Sequence, residues 1–163
     1  MSPHQLTCLF LGAALAVSTA VRSQPSLAEE PAHTIIAADA VEWKAAPASL
    51  PAGAQAAVLY GDPAKDGLFA MRLKLPKGYH IPPHMHPKPE VVTVISGTAQ
   101  LGMGETADRQ KAQRLPMGSF FALPPDMAHY AFTEEETVIQ LNSFGPWQIK
   151  YVRQEDDPRK QTQ

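Results

Sequence analysis

His84, His86 and Glu90 are the most closely spaced side chains in this sequence able to act together on a metal ion. The two histidines are two positions apart, so on an extended segment both project to one face. Glu90 shares their parity, and Pro87, Lys88 and Pro89 between them can re-aim the chain before the next strand. Imidazole nitrogens with one carboxylate oxygen suit Mn, Fe, Co, Ni, Cu or Zn. Two His and one carboxylate on one face of an octahedron leave positions open for water, substrate or dioxygen. A fourth candidate follows downstream, where Gly118 and a Pro124-Pro125-Asp126 turn lead to His129 at the start of a strand. A neighbouring antiparallel strand can carry His129 across to the other three.

The remaining candidates read more plainly. His80 shares parity with His84, but Pro82 and Pro83 intervene, so it is expected in a loop. His33 falls in an entry segment and is expected to be solvated. Glu134, Glu135 and Glu136 read as an exposed turn between two strands. Met71, Phe120, Phe121, Phe132 and Trp147 read as core or pocket wall, and either Tyr79 or Tyr130, which flank ligand segments, can line the pocket.

Short strands must position these residues. Residues 68–75 alternate, with Phe69, Met71, Leu73 and Leu75 on one face and Ala70, Arg72 and Lys74 on the other, as in a strand with one buried side. Residues 56–60, 90–96, 120–123, 130–132, 138–143 and 147–152 read as further strands, and 35–43 as a first strand or arm. Residues 98–103 follow Gly97 and are expected to turn back as a hairpin partner of 90–96. Residues 76–83, rich in proline, must be loop or edge. Residues 105–114 read as an exposed loop with a helical turn, and 154–163 as a flexible tail. Eight to ten short strands of this kind describe an all-β sandwich or barrel.

The 163 residues suit one domain, and a formal net charge of −2 gives no reason to expect nucleic acid as a partner. Residues 6–21 are uncharged and suit the apolar core of a secretory signal, although no Lys or Arg precedes them. Small-x-small sites end at Ala20 and Ala28. Cleavage after Ala28 is the expectation, giving a periplasmic or secreted protein with no membrane segment after signal removal; an uncleaved N-terminal anchor is the alternative. Cleavage would discard Cys8, the only cysteine, so any metal in the mature protein must sit on His, Asp or Glu.

The two ligand segments resemble the cupin superfamily. Gly78, His84, His86, Glu90 and Gly97 match all five defining positions of its first motif, G-x5-H-x-H-x(3,4)-E-x6-G. Gly118, Pro124 and His129 match the second, where Asp126 replaces a glycine and Thr133 an asparagine; Asp tolerates turn backbone, so the first change is mild. The stretches LYGDP (59–63), IPPH (81–84) and FGPW (144–147) are similar to small exported bacterial cupin-domain proteins of unassigned function. The resemblance implies an all-β fold, a single small jelly-roll cupin β-barrel. Its divisions would be a signal peptide over 1–28, an N-terminal arm and first strands over 29–66, a barrel core over 67–153 and a tail over 154–163. It implies one divalent transition metal, Mn, Fe, Ni, Zn or Cu, on His84, His86, Glu90 and His129. It implies action on a small molecule in the barrel, of oxygenase or isomerase type, with no catalytic partner identified. The alternatives are a non-catalytic extracytoplasmic module that binds or senses a metal or small ligand, and a structural cupin with an empty site. A homodimer is compatible with each.

Overall fold

The computed structural model describes residues 33–160. The export segment and Cys8 lie outside the described residues. All the strands lie in the unit Thr34–Gln163. They are β1 (Lys44–Ala45), β2 (Gln55–Tyr60), β3 (Gly67–Leu75), β4 (His80–Met85), β5 (Glu90–Ser96), β6 (Thr98–Met103), β7 (Gln113–Pro116), β8 (Phe120–Leu123), β9 (His129–Thr133), β10 (Thr137–Gly145) and β11 (Lys150–Tyr151). A six-stranded sheet runs β1-β2-β3-β10-β5-β8 and a five-stranded sheet runs β11-β4-β9-β6-β7. Every pairing is antiparallel.

The expected barrel is therefore an all-β jelly-roll sandwich whose two sheets do not close by hydrogen bonds. The corner at Gly97 shows why. β6 does not return along β5 as the hairpin expected from sequence; it pairs with β7 and β9 in the other sheet. Gly97 has φ 73, and a Cβ there would meet the Glu136 carbonyl oxygen at 2.4 Å, so only glycine lets the chain step between sheets at this point.

The alternation in β3 is realised: Phe69, Met71, Leu73 and Leu75 are all buried. They pack with Val92 of β5, Leu141 of β10 and, from the facing sheet, Ile81. At roughly 1.5–3 kcal/mol per fully buried large apolar side chain, this row is a main source of the sandwich's cohesion. A second cluster, Val94, Ala99 and Leu115, fills the space beside the Gly97 corner.

Three local expectations differ. The proline-rich run 80–85 is strand β4, with a register irregularity against β9 between Ile81 and His84. Pro82 and Pro83 have no N–H to give the ladder, and the irregularity absorbs that loss. Strand β7 forms at the end of the segment read as loop. The C-terminal residues expected to be flexible form two 3-10 turns, Gln154–Asp156 and Pro158–Lys160. Buried Asp157 accepts from Arg159 Nε at 2.7 Å, and Arg159 also donates to the Ile149 carbonyl.

Candidate metal centre

Two adjacent strands and one corner build the site. His84 in β4 and His129 in β9 are direct cross-strand partners, with ring centroids 4.1 Å apart. His86 lies just past β4, and its backbone carbonyl accepts from the Asp126 N–H at 2.8 Å. Asp126 has φ 58, the left-handed turn conformation that its replacement of glycine requires. This contact ties the turn before β9 to the end of β4. Glu90 opens β5 in the other sheet, and the Ser143 hydroxyl, donating to the Pro89 carbonyl at 2.7 Å, pins the corner in front of it.

All four side chains are buried. One ligand atom from each of His84, His86 and His129 lies within 4.8 Å of the others. The Glu90 carboxylate joins from one side, 3.4 Å from His86 Nε2 and 3.5 Å from His129 Nε2. Each imidazole has its other nitrogen engaged with a backbone carbonyl: His84 Nδ1 with Pro82 at 2.8 Å, His86 Nδ1 with Gln148 at 2.7 Å and His129 Nδ1 with Met127 at 3.0 Å. A carbonyl only accepts, so Nδ1 carries the proton in each ring and Nε2 keeps its lone pair. Ligating histidines are oriented in the same way.

Burial pushes His84 well below the ordinary histidine range, and the nearby His129 and His86 add to this. Burial also lowers His86, against the opposing pull of Glu90. Burial by itself would raise Glu90, but the neighbouring His129 and His86 outweigh it and hold the carboxyl below its usual value. His84 and His86 held neutral beside an ionised Glu90 are the protonation states that divalent-metal binding needs. The donor set therefore fits such a metal.

The four residues face a small chamber between the sheets, with about 40 Å³ of water-accessible space. The rest of its wall is apolar, with Leu73, Val92, Phe121 and Ile139 among the contributors. Trp147 also lines it, stacked on the His86 ring at 5.5 Å between centroids and 16° between planes. Of the residues read as core or pocket wall, Met71 and Phe132 are buried, whereas Phe120 is exposed because neighbours in β8 face opposite ways and Phe121 takes the inner side. Tyr79 and Tyr130 do not line the chamber. The Tyr79 hydroxyl donates to the Pro51 carbonyl and that of Tyr130 to the Asp108 carbonyl.

His80 is not in a loop; it begins β4 and stacks on Phe132 at 4.4 Å, away from the chamber lining. His33 is exposed, as expected. The wall residue Leu50 and the Gln148 carbonyl were not identified from sequence, because each reaches the site only through tertiary packing. A local signal did exist for two rings: His84 and His129 each engage the carbonyl two residues earlier.

The family described as "Domain of unknown function (DUF4437)" matches residues 19–150. Among curated proteins, Germin-like protein 3-1 of Oryza sativa subsp. japonica is 36% identical over 67 residues, 40% of this chain and 30% of that one. Germin-like protein subfamily 2 member 1 of Arabidopsis thaliana is 37% identical over 65 residues, again 30% of its length. The match thus spans less than a third of these relatives. Solved structures that share the fold include three enzymes or cupins by their descriptions. The polyketide cyclase RemF from Streptomyces resistomycificus has a TM-score of 0.65 at 14% identity, covering 78% of this chain and 90% of that one. A putative acetylacetone dioxygenase from Methylibium petroleiphilum PM1 has 0.60 at 16%, covering 82% and 90%. An RmlC-like cupin from Shewanella frigidimarina has 0.53 at 15%, covering 76% and 96%.

Proposed function

We propose, from the premise that this chain is a cupin and belongs to the DUF4437 family, that it holds one divalent transition metal on His84, His86, His129 and Glu90 and uses it on a small molecule in the chamber. One observation carries this reading. Three buried Nδ1 atoms are engaged by backbone carbonyls, which leaves three Nε2 lone pairs converging beside one carboxylate. His86 Nε2 has no hydrogen-bond partner in the protein, and a buried polar atom left in that state costs about 1–3 kcal/mol unless something binds it.

A metal held there supplies Lewis acidity or redox chemistry. The protein's own part is to hold His84 and His86 neutral, to orient the three imidazoles and to keep bulk water out with apolar walls. In this reading Glu90 serves as a ligand and not as a free base. Among the described residues, the chamber wall carries no second carboxylate, lysine, arginine or hydroxyl side chain. In the enzyme reading, a reaction of oxygenase or isomerase type, the metal and the substrate therefore have to carry the chemistry. The polyketide cyclase named above supports the idea that such a sandwich can host an enzyme. The missing acid/base side chain favours a second reading, a binding or sensing module that returns its ligand unchanged.

Residues 1–28 complete the proposal as an export signal. N-terminal sequencing of the exported protein should then begin at Glu29.

The deciding measurement is elemental analysis of untagged protein against His86→Ala. About one equivalent of one metal in the first and almost none in the second is expected, and equal metal in both would sink the assignment. Activity lost on chelation and restored by one particular metal separates the enzyme from the module.

A further inference from the structure

Three buried side-chain atoms among the described residues lack a hydrogen-bond partner: His80 Nε2, His86 Nε2 and Trp147 Nε1. The last two belong to neighbouring rings that both line the chamber. They are chemically opposite. With Nδ1 carrying its proton, His86 Nε2 is an acceptor, whereas an indole N–H can only donate. The pair cannot satisfy each other, because rings stacked 16° from parallel do not present an in-plane N–H to an in-plane lone pair. A cation answers the first vacancy, and an oxygen acceptor would answer the second.

Trp147 is held in place independently of any ligand. Its backbone N–H donates to the Pro63 carbonyl at 2.7 Å, where the LYGDP turn meets the FGPW segment. A Cβ on Gly145 would lie 2.0 Å from the Lys65 carbonyl oxygen, so the close approach of the two segments requires glycine. The backbone that carries the indole is thus held by a built corner.

Charge narrows the ligand class. A divalent ion on three neutral imidazoles and one carboxylate keeps one net positive charge, in a chamber whose remaining wall is apolar. A single negative charge balances it, a neutral molecule leaves it uncompensated and a dianion overshoots. About 40 Å³ of water-accessible space beside Leu73, Val92 and Phe121 admits only a short hydrocarbon portion.

Resting on the metal reading above, we propose that the chamber takes a small oxygen monoanion with a short apolar portion, and that Trp147 Nε1–H donates to the oxygen of that anion. Trp147 is then a binding and specificity residue.

The test uses the full chain and Trp147→Phe, which keeps an aromatic ring on His86 and removes only the N–H. Cobalt(II)-loaded proteins are titrated with acetate, butyrate and butyramide and followed by visible absorption. Wild type should bind butyrate more tightly than butyramide. Trp147→Phe should load cobalt to the same stoichiometry and bind butyrate about ten-fold or more weakly, the usual loss for a hydrogen bond to a charged group. A second readout needs no variant to bind metal. The chain has two tryptophans, so a zinc-loaded, ¹⁵N-labelled sample shows two indole N–H signals, and that of Trp147 should move downfield on adding butyrate. An unmoved Trp147 signal, equal butyrate affinity in cobalt-loaded variant and wild type, or no preference for butyrate over butyramide each overturns the inference while leaving the metal site standing. Absence of cobalt from the wild type overturns both.

Discussion

Two buried polar clusters in this sandwich contrast. In the first, Thr98, Thr133 and Thr137, each almost fully buried, exchange hydrogen bonds only with the protein. Thr137 Oγ1 accepts the Thr98 N–H at 3.2 Å and donates to the carbonyl of Glu135 or Thr98. Thr133 Oγ1 accepts the Tyr79 N–H at 2.8 Å and donates to the Pro76 carbonyl at 2.6 Å, clamping the turn ahead of β4. In the second cluster, His84, His86 and His129 are tied down at Nδ1 by backbone carbonyls, and His86 Nε2, on the inner side, has no hydrogen-bond partner in the protein. A satisfied network stabilises a fold; one satisfied on its periphery alone is arranged for something the protein does not itself supply.

Crossed substitutions break the comparison most sharply. His84→Ala should lower metal affinity by at least about a hundred-fold, beyond the 10–100-fold typical of losing an outer-shell partner, with metal per chain read by elemental analysis. Thr137→Val should leave metal content unchanged and destabilise the chelator-treated protein by about 1–3 kcal/mol in urea denaturation, since it strands the Thr98 N–H. If Thr137→Val released the metal, or His84→Ala were the more destabilising of the two without metal, the division of labour would be wrong.

Acid should separate the clusters next. His84 and His86 sit below their ordinary value of 6.5 in the folded protein, so just under that pH the unfolded chain binds more protons. Stability of the metal-free protein is therefore expected to be full above about pH 6.5 and to fall as the pH drops toward the folded values. Glu90, lowered from 4.5, extends the loss further into acid. Urea midpoints across pH should show this slope in wild type and in Thr137→Val, and a shallower one in His84→Ala. The smallest effect belongs to Thr133→Ser, which keeps the clamping hydroxyl; it should stay within about 1 kcal/mol of wild type and bind metal normally.

Thr133 also shows where sequence reading ran short. It appeared only as a departure from the family's asparagine, yet it holds the chain entering β4 through partners more than fifty positions away. Gly97 is legible as a turn but not as a crossing between sheets, because a glycine at positive φ suits either and the Glu136 carbonyl that decides comes from the distant turn before β10. His80 was assigned to a loop on its prolines, whereas the chain tolerates them as strand by shifting register against β9.

What the sequence determined by itself is what short-range periodicity can encode. The alternation of β3 sets its buried face, the spacing of His84, His86 and Glu90 aligns three donors, and a glycine-to-proline interval points to His129 as the fourth. Tertiary structure alone decided the rest. It set His84 opposite His129 across two strands, engaged His86 Nδ1 with a carbonyl 62 positions away, left the sandwich open where a barrel was expected, and laid an unpartnered indole against the His86 ring. The physical reason is the range of the interactions. Side-chain parity repeats every two residues and is written locally, whereas a hydrogen-bond partner far along the chain exists only once the sheets have paired.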